Sequence, residues 1–226
     1  MTETIWKLSP SDFAFLWEEC KRCFYLKVKG FYRPQQFFPR IFNIIDEQIK
    51  ICFSELRIDN LVTGAPRGNI KYSDEWVESQ PINFTDINSA CFIRGKFDSI
   101  VQFDDNAYGV IDFKTADIST NHINTYARQL HAYAYALENP TPRGFSCEPI
   151  SKLGLIIYEP TTFACGLQGE AMLNGNLRWL EVPLDNESFL SFLHEVAAVI
   201  DANEPPSPSP TCEWCKYREK SRAINY

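Results

Sequence analysis

Two short stretches of this chain carry residue types that could do chemistry together: Arg94-Gly95-Lys96-Phe97-Asp98, then Val110-Ile111-Asp112-Phe113-Lys114-Thr115. Strand side chains alternate between faces, so Asp112 and Lys114 point one way while Ile111 and Phe113 point into a core. By the same rule Arg94, Lys96 and Asp98 share a face. If the two stretches pair as a hairpin, Asp98 comes beside Asp112. Two converging carboxylates suit a hard divalent cation such as magnesium or manganese. A lysine beside them can orient or deprotonate a water, or stabilise charge on a phosphate. Metal, carboxylates and lysine together suit phosphodiester hydrolysis. The same text also fits an exposed polar strand face with an ordinary Asp–Lys pair. Farther on, Gln129 and Tyr133 lie four residues apart, on one face of a predicted helix, where they could bond substrate phosphates or position the lysine.

A second set of reactive residues sits near the two ends. Cys20-Lys-Arg-Cys23 and Cys212-Glu-Trp-Cys215 are both CxxC pairs. Together they could supply four thiolates to one zinc ion or one iron–sulfur cluster, which would tie the ends of the chain together. Otherwise Cys20 and Cys23 are small apolar residues on a helix face. The remaining cysteines, Cys52, Cys91, Cys147 and Cys165, stand singly in apolar stretches and are expected in the core.

The elements that must position these residues read as helices around a mixed sheet. Ser9-Pro10-Ser11-Asp12 is a helix start, with Ser9 as N-cap. The spacing of Phe13, Leu16, Cys20, Cys23 and Lys27 predicts one helix over 8–27 with both cysteines on one face. Pro39 opens a second helix, with Ile41, Ile44, Ile45, Ile49 and Cys52 as its apolar positions. Residues 58–83 read as loop with short extended pieces. A hairpin is expected from 90–103, a turn at Asp104-Asp105-Asn106 and a strand over 107–114. A helix over 121–138 follows, then three short strands near 152–158, 162–168 and 176–182, and a helix over 187–202. The Pro-rich segment from Glu204 to Pro210 is stiff and extended and delivers the second CxxC pair. No domain boundary is visible, so residues 1–226 are expected to form one domain.

Composition limits the classes. The 226 residues are 45% hydrophobic and 23% charged, ordinary globular values that exclude a disordered or collagen-like chain. No stretch reads as a membrane span or export signal, so the expectation is a cytoplasmic protein with reduced thiols and no membrane partner. The net charge of −7 excludes bulk electrostatic binding to DNA but allows a local basic groove.

The order Gly95-Lys96-Phe97-Asp98, Val110-Ile111-Asp112-Phe113-Lys114-Thr115, Gln129-Leu130-His131-Ala132-Tyr133 resembles the PD-(D/E)XK nuclease superfamily, and within it the RecB-like and Cas4-like exonuclease branch. Leu8-Ser9-Pro10-Ser11, Cys20-Lys-Arg-Cys23-Phe24-Tyr25-Leu26 and a late cysteine pair after a Pro-rich stretch also resemble that branch. The resemblance implies a restriction-endonuclease-like α/β (α+β mixed) core, a central mixed sheet flanked by helices. It implies Asp98 and Asp112 as ligands of magnesium or manganese, with the Phe113 backbone carbonyl beside them and Lys114 as catalytic lysine. Gln129 and Tyr133 match the extra motif of the branch. An upstream acid on a preceding helix is also implied, with Asp46 the first candidate and Glu47 the second. In the branch the first helix and the late cysteines clasp a 4Fe-4S cluster. Here the position of the usual third late cysteine is Ser221, and two early cysteines stand where one is usual, so a CxxC-plus-CxxC set also suits zinc. Either centre is expected to be structural.

Arg94 and Lys96 are the candidates for holding a DNA strand, single-stranded or with free ends. Arg22, Arg33, Arg40 and Arg128 are further cations. Phe31, Tyr32, Phe37, Phe38 and Trp76 could stack on unpaired bases, although core packing is the expectation for most of them. Two function classes follow. One is a metal-dependent deoxyribonuclease, an exonuclease in repair, recombination or defence, with a protein complex possible. The other is a catalytically silent nuclease fold that binds DNA or a partner. A plain zinc or redox protein would leave the hairpin unexplained.

Overall fold

A computed structural model describes residues 4–34, 37–54, 56–115 and 123–224. The elements in order are β1 (Ile5–Leu8), α1 (Pro10–Ala14), α2 (Leu16–Glu19), α3 (Lys21–Val28), α4 (Arg40–Ser54), α5 (Ile58–Leu61), β2 (Gly68–Ser73), β3 (Trp76–Glu78), β4 (Ala90–Lys96), β5 (Ser99–Phe103), β6 (Tyr108–Thr115), α6 (Ile123–Glu138), β7 (Ile150–Cys165), β8 (Ala171–Val182), α7 (Asn186–Asp201) and α8 (Glu213–Ala223). A five-stranded mixed sheet has the order β2-β5-β6-β7-β8, and a three-stranded sheet the order β1-β4-β3. This is a mixed α/β fold.

The hairpin forms, with Ser99 opposite Ile111 and Gln102 opposite Tyr108. Its first arm is not one strand over 90–103. It breaks at the buried Phe97 and at Asp98, so β4 joins the small sheet and β5 the large one. The facing arm breaks at the same level. Asp74, with φ of 58°, separates β2 from β3, and its N–H donates to the Asp98 carbonyl at 3.1 Å. Asp tolerates the left-handed region better than most residues. Such irregularities re-aim side chains, and this one turns Asp74 and Asp98 toward a common point.

From β6 the chain crosses through α6 and returns as β7, parallel to β6. Gly109–Phe113 of β6 and Leu153–Ile157 of β7 are buried on both faces, as a parallel pair with helices on either side is, while β7 beyond Tyr158 runs out into solvent. Ile100, Val110, Leu153, Leu155 and Ile157 pack with α6 and α7. Val101, Ile111, Phe113 and Ile156 pack on the other face with Phe53 of α4 and Ile58 of α5.

Several expected elements differ. The helix over 8–27 is three short helices, broken at Phe15 and at Cys20, whose φ of −166° and ψ of 107° are extended. Ser9 occupies the N-cap but its hydroxyl meets Ser11 Oγ and caps no backbone N–H. Pro39 does precede α4, yet Ile41, Ile44 and Cys52 are exposed and only the C-terminal part of the helix, through Ile49 and Phe53, reaches the core. Residues 121–122 lie outside the described residues, and the helix there runs from Ile123. The strands expected near 152–158 and 162–168 are one long β7, which passes Pro160 through a shift of register against β8. Proline is tolerated at such a shift because the ladder bond is already interrupted. The α8 helix was not anticipated. Of the single cysteines, Cys91 and Cys147 are buried as expected, whereas Cys52 and Cys165 are exposed, because one lies on the solvent side of α4 and the other at the far end of the β7–β8 hairpin.

Candidate active site

The end of β6 carries Asp112 and Lys114 on the α6 side of the large sheet, and the break between β4 and β5 carries Asp98. Phe113 N–H donates to Asp98 Oδ2 at 3.3 Å, which fixes that carboxylate beside the Asp112–Lys114 step. Asp112 is buried. Its Oδ1 accepts from Gln129 Nε2 at 3.3 Å, and its Oδ2, with no hydrogen bond in good geometry, lies against Lys114 Nζ as an ion pair. The Phe113 ring goes to the opposite face, 5.4 Å from Phe53. Strand alternation therefore does what the sequence pattern requires: core on one side, reactive groups on the other.

Charges are set by this packing. Burial, with Asp98 close by, pushes the Asp112 carboxyl up to about 7 against the pull of Lys114. Burial works against the Lys114 ammonium, but Asp112 and Asp98 outweigh it and hold the proton. Asp98 is also desolvated, yet its contact with Asp112 and the cations Lys50 and Lys114 keep it below the usual carboxylate range. The two carboxylates thus differ in proton affinity by environment alone.

Lys50 was not singled out in the sequence. Its Nζ lies 3.1 Å from Asp98 Oδ1, 2.9 Å from Asp46 Oδ2 and 3.2 Å from Asp74 Oδ1. Asp46 therefore reaches the site through Lys50, one helical turn on, rather than by touching Asp112. Burial raises the Asp46 carboxyl, and Lys50 only partly offsets it. Glu47 is exposed on the next position of the helix. The i,i+4 pair Asp46–Lys50 was legible in principle; Asp74 was not, because only the bend in the ribbon brings it in.

Gln129 and Tyr133 are both buried. Gln129 bonds Asp112, and Tyr133 Oη donates to the Lys96 carbonyl at 2.8 Å, beside the bend that carries Asp98. They hold the two carboxylate-bearing segments in place. Gly95 lets this happen: a Cβ there would lie 2.8 Å from Pro10 Cδ and 3.0 Å from Tyr133 Cε1. Arg94 and Lys96 are exposed on the same side as Asp98, each with a carboxylate partner, Glu78 at 3.3 Å and Asp74 at 3.2 Å. Arg22 donates to the Pro206 carbonyl, Arg33 pairs with Glu19 and Arg128 pairs with Glu18.

Two openings meet at Asp98 and Lys114. One, of about 400 Å³, is polar and includes Lys7, Arg94 and Lys96. The other, of about 440 Å³, includes Phe15, Phe38, Phe42 and Asp46. Phe31, Tyr32, Phe37, Phe38 and Trp76 are all exposed, contrary to the expectation of core packing: the four before α4 belong to neither core, and Trp76 lies on the edge strand β3 with Arg94 over its ring.

A profile of the PD-(D/E)XK nuclease superfamily matches residues 47–220. The chain belongs to that superfamily. Asp46 and the first CxxC pair precede the matched span. Comparison with curated proteins finds no relative that matches. Among solved structures, SSO0001 is similar at 15% identity and a TM-score of 0.47, with 88% of this chain and 78% of that one covered, a likeness too loose to carry an argument. PD-(D/E)XK nucleases use divalent metals, and the hard oxygen donors of Asp98 and Asp112 fit such an ion.

The second candidate centre of this PD-(D/E)XK nuclease fold lies apart from the first. Cys20, Cys23, Cys212 and Cys215 are all buried, and their sulfurs lie within 4.8 Å of one another. Ser209 N–H donates to Cys20 Sγ at 3.5 Å and Arg33 Nη2 to Cys212 Sγ at 3.3 Å. Burial opposes ionisation of Cys20, but the Ser209 bond and the neighbouring thiols bring it down to about 7; burial pushes Cys23 up. Among the described residues no helix is long and apolar enough to cross a membrane.

Proposed function

We propose that this chain is a metal-dependent deoxyribonuclease of the RecB-like and Cas4-like branch, acting as an exonuclease on DNA with single-stranded or free ends. The observation that carries the reading is the convergence of Asp98, Asp112 and Lys114 at one point, with Asp112 kept buried and held by Gln129. A simple surface salt bridge needs no such burial and no such support.

Asp98, Asp112 and the Phe113 carbonyl, which leaves the strand on the same side as the amide bonded to Asp98, are the residues that would hold magnesium or manganese. When bound, that ion supplies a Lewis acid and an acidified water. The chain's own residues do the rest. Lys114 keeps its proton next to both carboxylates and offers a cation to the charge that develops on the phosphate. Gln129 fixes the Asp112 carboxylate, and Tyr133 fixes the bend that carries Asp98, so both positions are set before substrate arrives. Lys50 balances Asp46, Asp74 and Asp98, and orients Asp46 toward the cleft. Lys7, Arg94 and Lys96 line the polar opening, where a phosphate backbone would run. Phe15, Phe38 and Phe42 line the other, where unpaired bases would stack. This arrangement favours a strand with free bases over a closed duplex. The cysteine centre is structural and joins the two ends of what we take to be one domain.

A second reading, a catalytically silent fold that binds DNA or a protein partner, is favoured by one observation: Arg94 and Lys96 already sit on carboxylates in a chain of net charge −7. Linear and covalently closed circular DNA, single- and double-stranded, incubated with magnesium, manganese or EDTA, separate the two. The exonuclease reading expects metal-dependent loss of linear single strands with circles intact. Binding of every substrate with cleavage of none would overturn it.

A further inference from the structure

The four-cysteine centre is built from two copies of one local arrangement. Cys20 is the N-cap of α3 and Cys23 lies in its first turn; Cys212 is the N-cap of α8 and Cys215 lies in its first turn. Both N-cap residues are extended, and each carbonyl accepts the N–H four residues on, from Phe24 at 3.0 Å and from Lys216 at 3.1 Å. Each pair therefore presents two sulfurs at the positive end of a helix, where thiolates are favoured. The two helix starts face each other. The sulfur separations are 3.8 Å for Cys20–Cys215, 3.7 Å for Cys23–Cys212 and 3.6 Å for Cys23–Cys215.

These separations decide which inorganic centre fits. With zinc–sulfur bonds of about 2.3 Å, a tetrahedral tetrathiolate site has sulfur–sulfur edges of about 3.8 Å. In a four-iron cluster each cysteine binds a different iron at a corner of the cube. Its cysteine sulfurs then stand farther apart than the 4.8 Å that spans this whole group. The sequence agrees, since the ligands come as two plus two with CxxC spacing and Ser221 stands where a third late cysteine would be. We propose that Cys20, Cys23, Cys212 and Cys215 hold a single tetrahedral zinc ion rather than the iron–sulfur cluster that the resemblance implies. Four thiolates on a dication leave two net negative charges. Arg33 answers them directly, through Cys212 Sγ at 3.3 Å, and is itself fixed by Glu19 at 2.6 Å. The Ser209 N–H does the same at Cys20 Sγ.

The inference rests on the sulfur geometry and not on the nuclease reading, and its test needs no cleavage. The full chain would be purified without oxygen from cells supplied with both iron and zinc, and its metals and acid-labile sulfide measured. Zinc-edge X-ray absorption on the same sample would read the ligands. One zinc per chain, four sulfur neighbours at about 2.3 Å and no labile sulfide are expected. The Cys23→Ser, Cys215→Ser variant should lose that zinc, and the wild-type spectrum stands on its own if the variant does not fold. Iron and sulfide at four each per chain would overturn the proposal. So would zinc with nitrogen or oxygen neighbours, or folded protein without stoichiometric metal.

Discussion

Removing both charges of the Asp112–Lys114 pair is expected to stabilise the fold, while removing Lys114 alone is expected to damage it. Asp112 is 3% exposed, and burial is the main reason its carboxyl rises to about 7. An unfolded aspartate titrates near 3.9. Between those values the native state keeps a proton that the unfolded state has released, so stability falls as pH rises through the window. The gap is worth about 4 kcal/mol once the native carboxylate is fully ionised. Lys114→Met strips the partner from a buried carboxylate and should cost about 3–5 kcal/mol, whereas replacing both members of such a pair is often neutral or stabilising by about 1–4 kcal/mol. The double variant Asp112→Asn, Lys114→Met should therefore be the more stable protein at pH 8, and its advantage should shrink toward pH 5, where native Asp112 is protonated anyway. Urea unfolding in EDTA, followed by tryptophan fluorescence, measures all three chains. If the double variant loses as much as Lys114→Met, the pair is an ordinary structural salt bridge and the reasoning fails.

Other expectations follow from single contacts. Gln129→Leu removes the donor to Asp112 Oδ1 and should weaken manganese binding about 10–100-fold by calorimetry, with little change in the circular dichroism spectrum. Gly95→Val drives a side chain into Pro10 and Tyr133 and should cost about 1–3 kcal/mol in urea unfolding, more than the same change at the open Gly30 after its own strain is subtracted. His131 is buried and neutral, with Nδ1 2.7 Å from the Ala127 carbonyl and Nε2 accepting from Asp185 N–H at 2.9 Å, and burial lowers its pKa. Its stabilisation is complete above about pH 6.5 and is lost as pH falls below that value, since the unfolded chain then binds the proton first. His131→Gln should flatten that part of the stability–pH curve. Asp185→Ala removes the α7 N-cap bond to Ser188 N–H at 2.9 Å and should lower the urea midpoint in the same unfolding measurement, whereas Asp185→Asn, which keeps an acceptor at the cap, should lower it less.

The sequence made the centre of the site legible because strand alternation is local. Asp112, Lys114 and Phe113 are placed by a period of two, and the hairpin brings Asp98, one residue before its first pair, to their level. The two CxxC pairs were legible as a set of ligands, since their spacing is itself the signal. What was not legible depends on bends and on long-range packing. Lys50 and Asp74 enter only because the β2–β3 and β4–β5 arms kink together at Asp74 and Asp98. The helix over 8–27 looked continuous, because a periodic apolar pattern persists through short helices interrupted at Phe15 and at the extended Cys20. Phe31, Tyr32, Phe37 and Phe38 look like core by composition, and nothing local says that these four rings lie outside both cores. From sequence, Gln129 and Tyr133 could bond substrate phosphates or position the lysine; burial directs them instead to Asp112 and to the Lys96 carbonyl.

The most direct measurement is single-turnover cleavage of end-labelled DNA by the wild-type chain and by Asp112→Asn and Lys114→Met, with magnesium, manganese or EDTA, on protein shown to be folded. Metal-dependent shortening by the wild type, abolished in both variants, is the predicted result. Cleavage that survives in either folded variant, or that proceeds unchanged in EDTA, would contradict the assignment of Asp98, Asp112 and Lys114 as the active site.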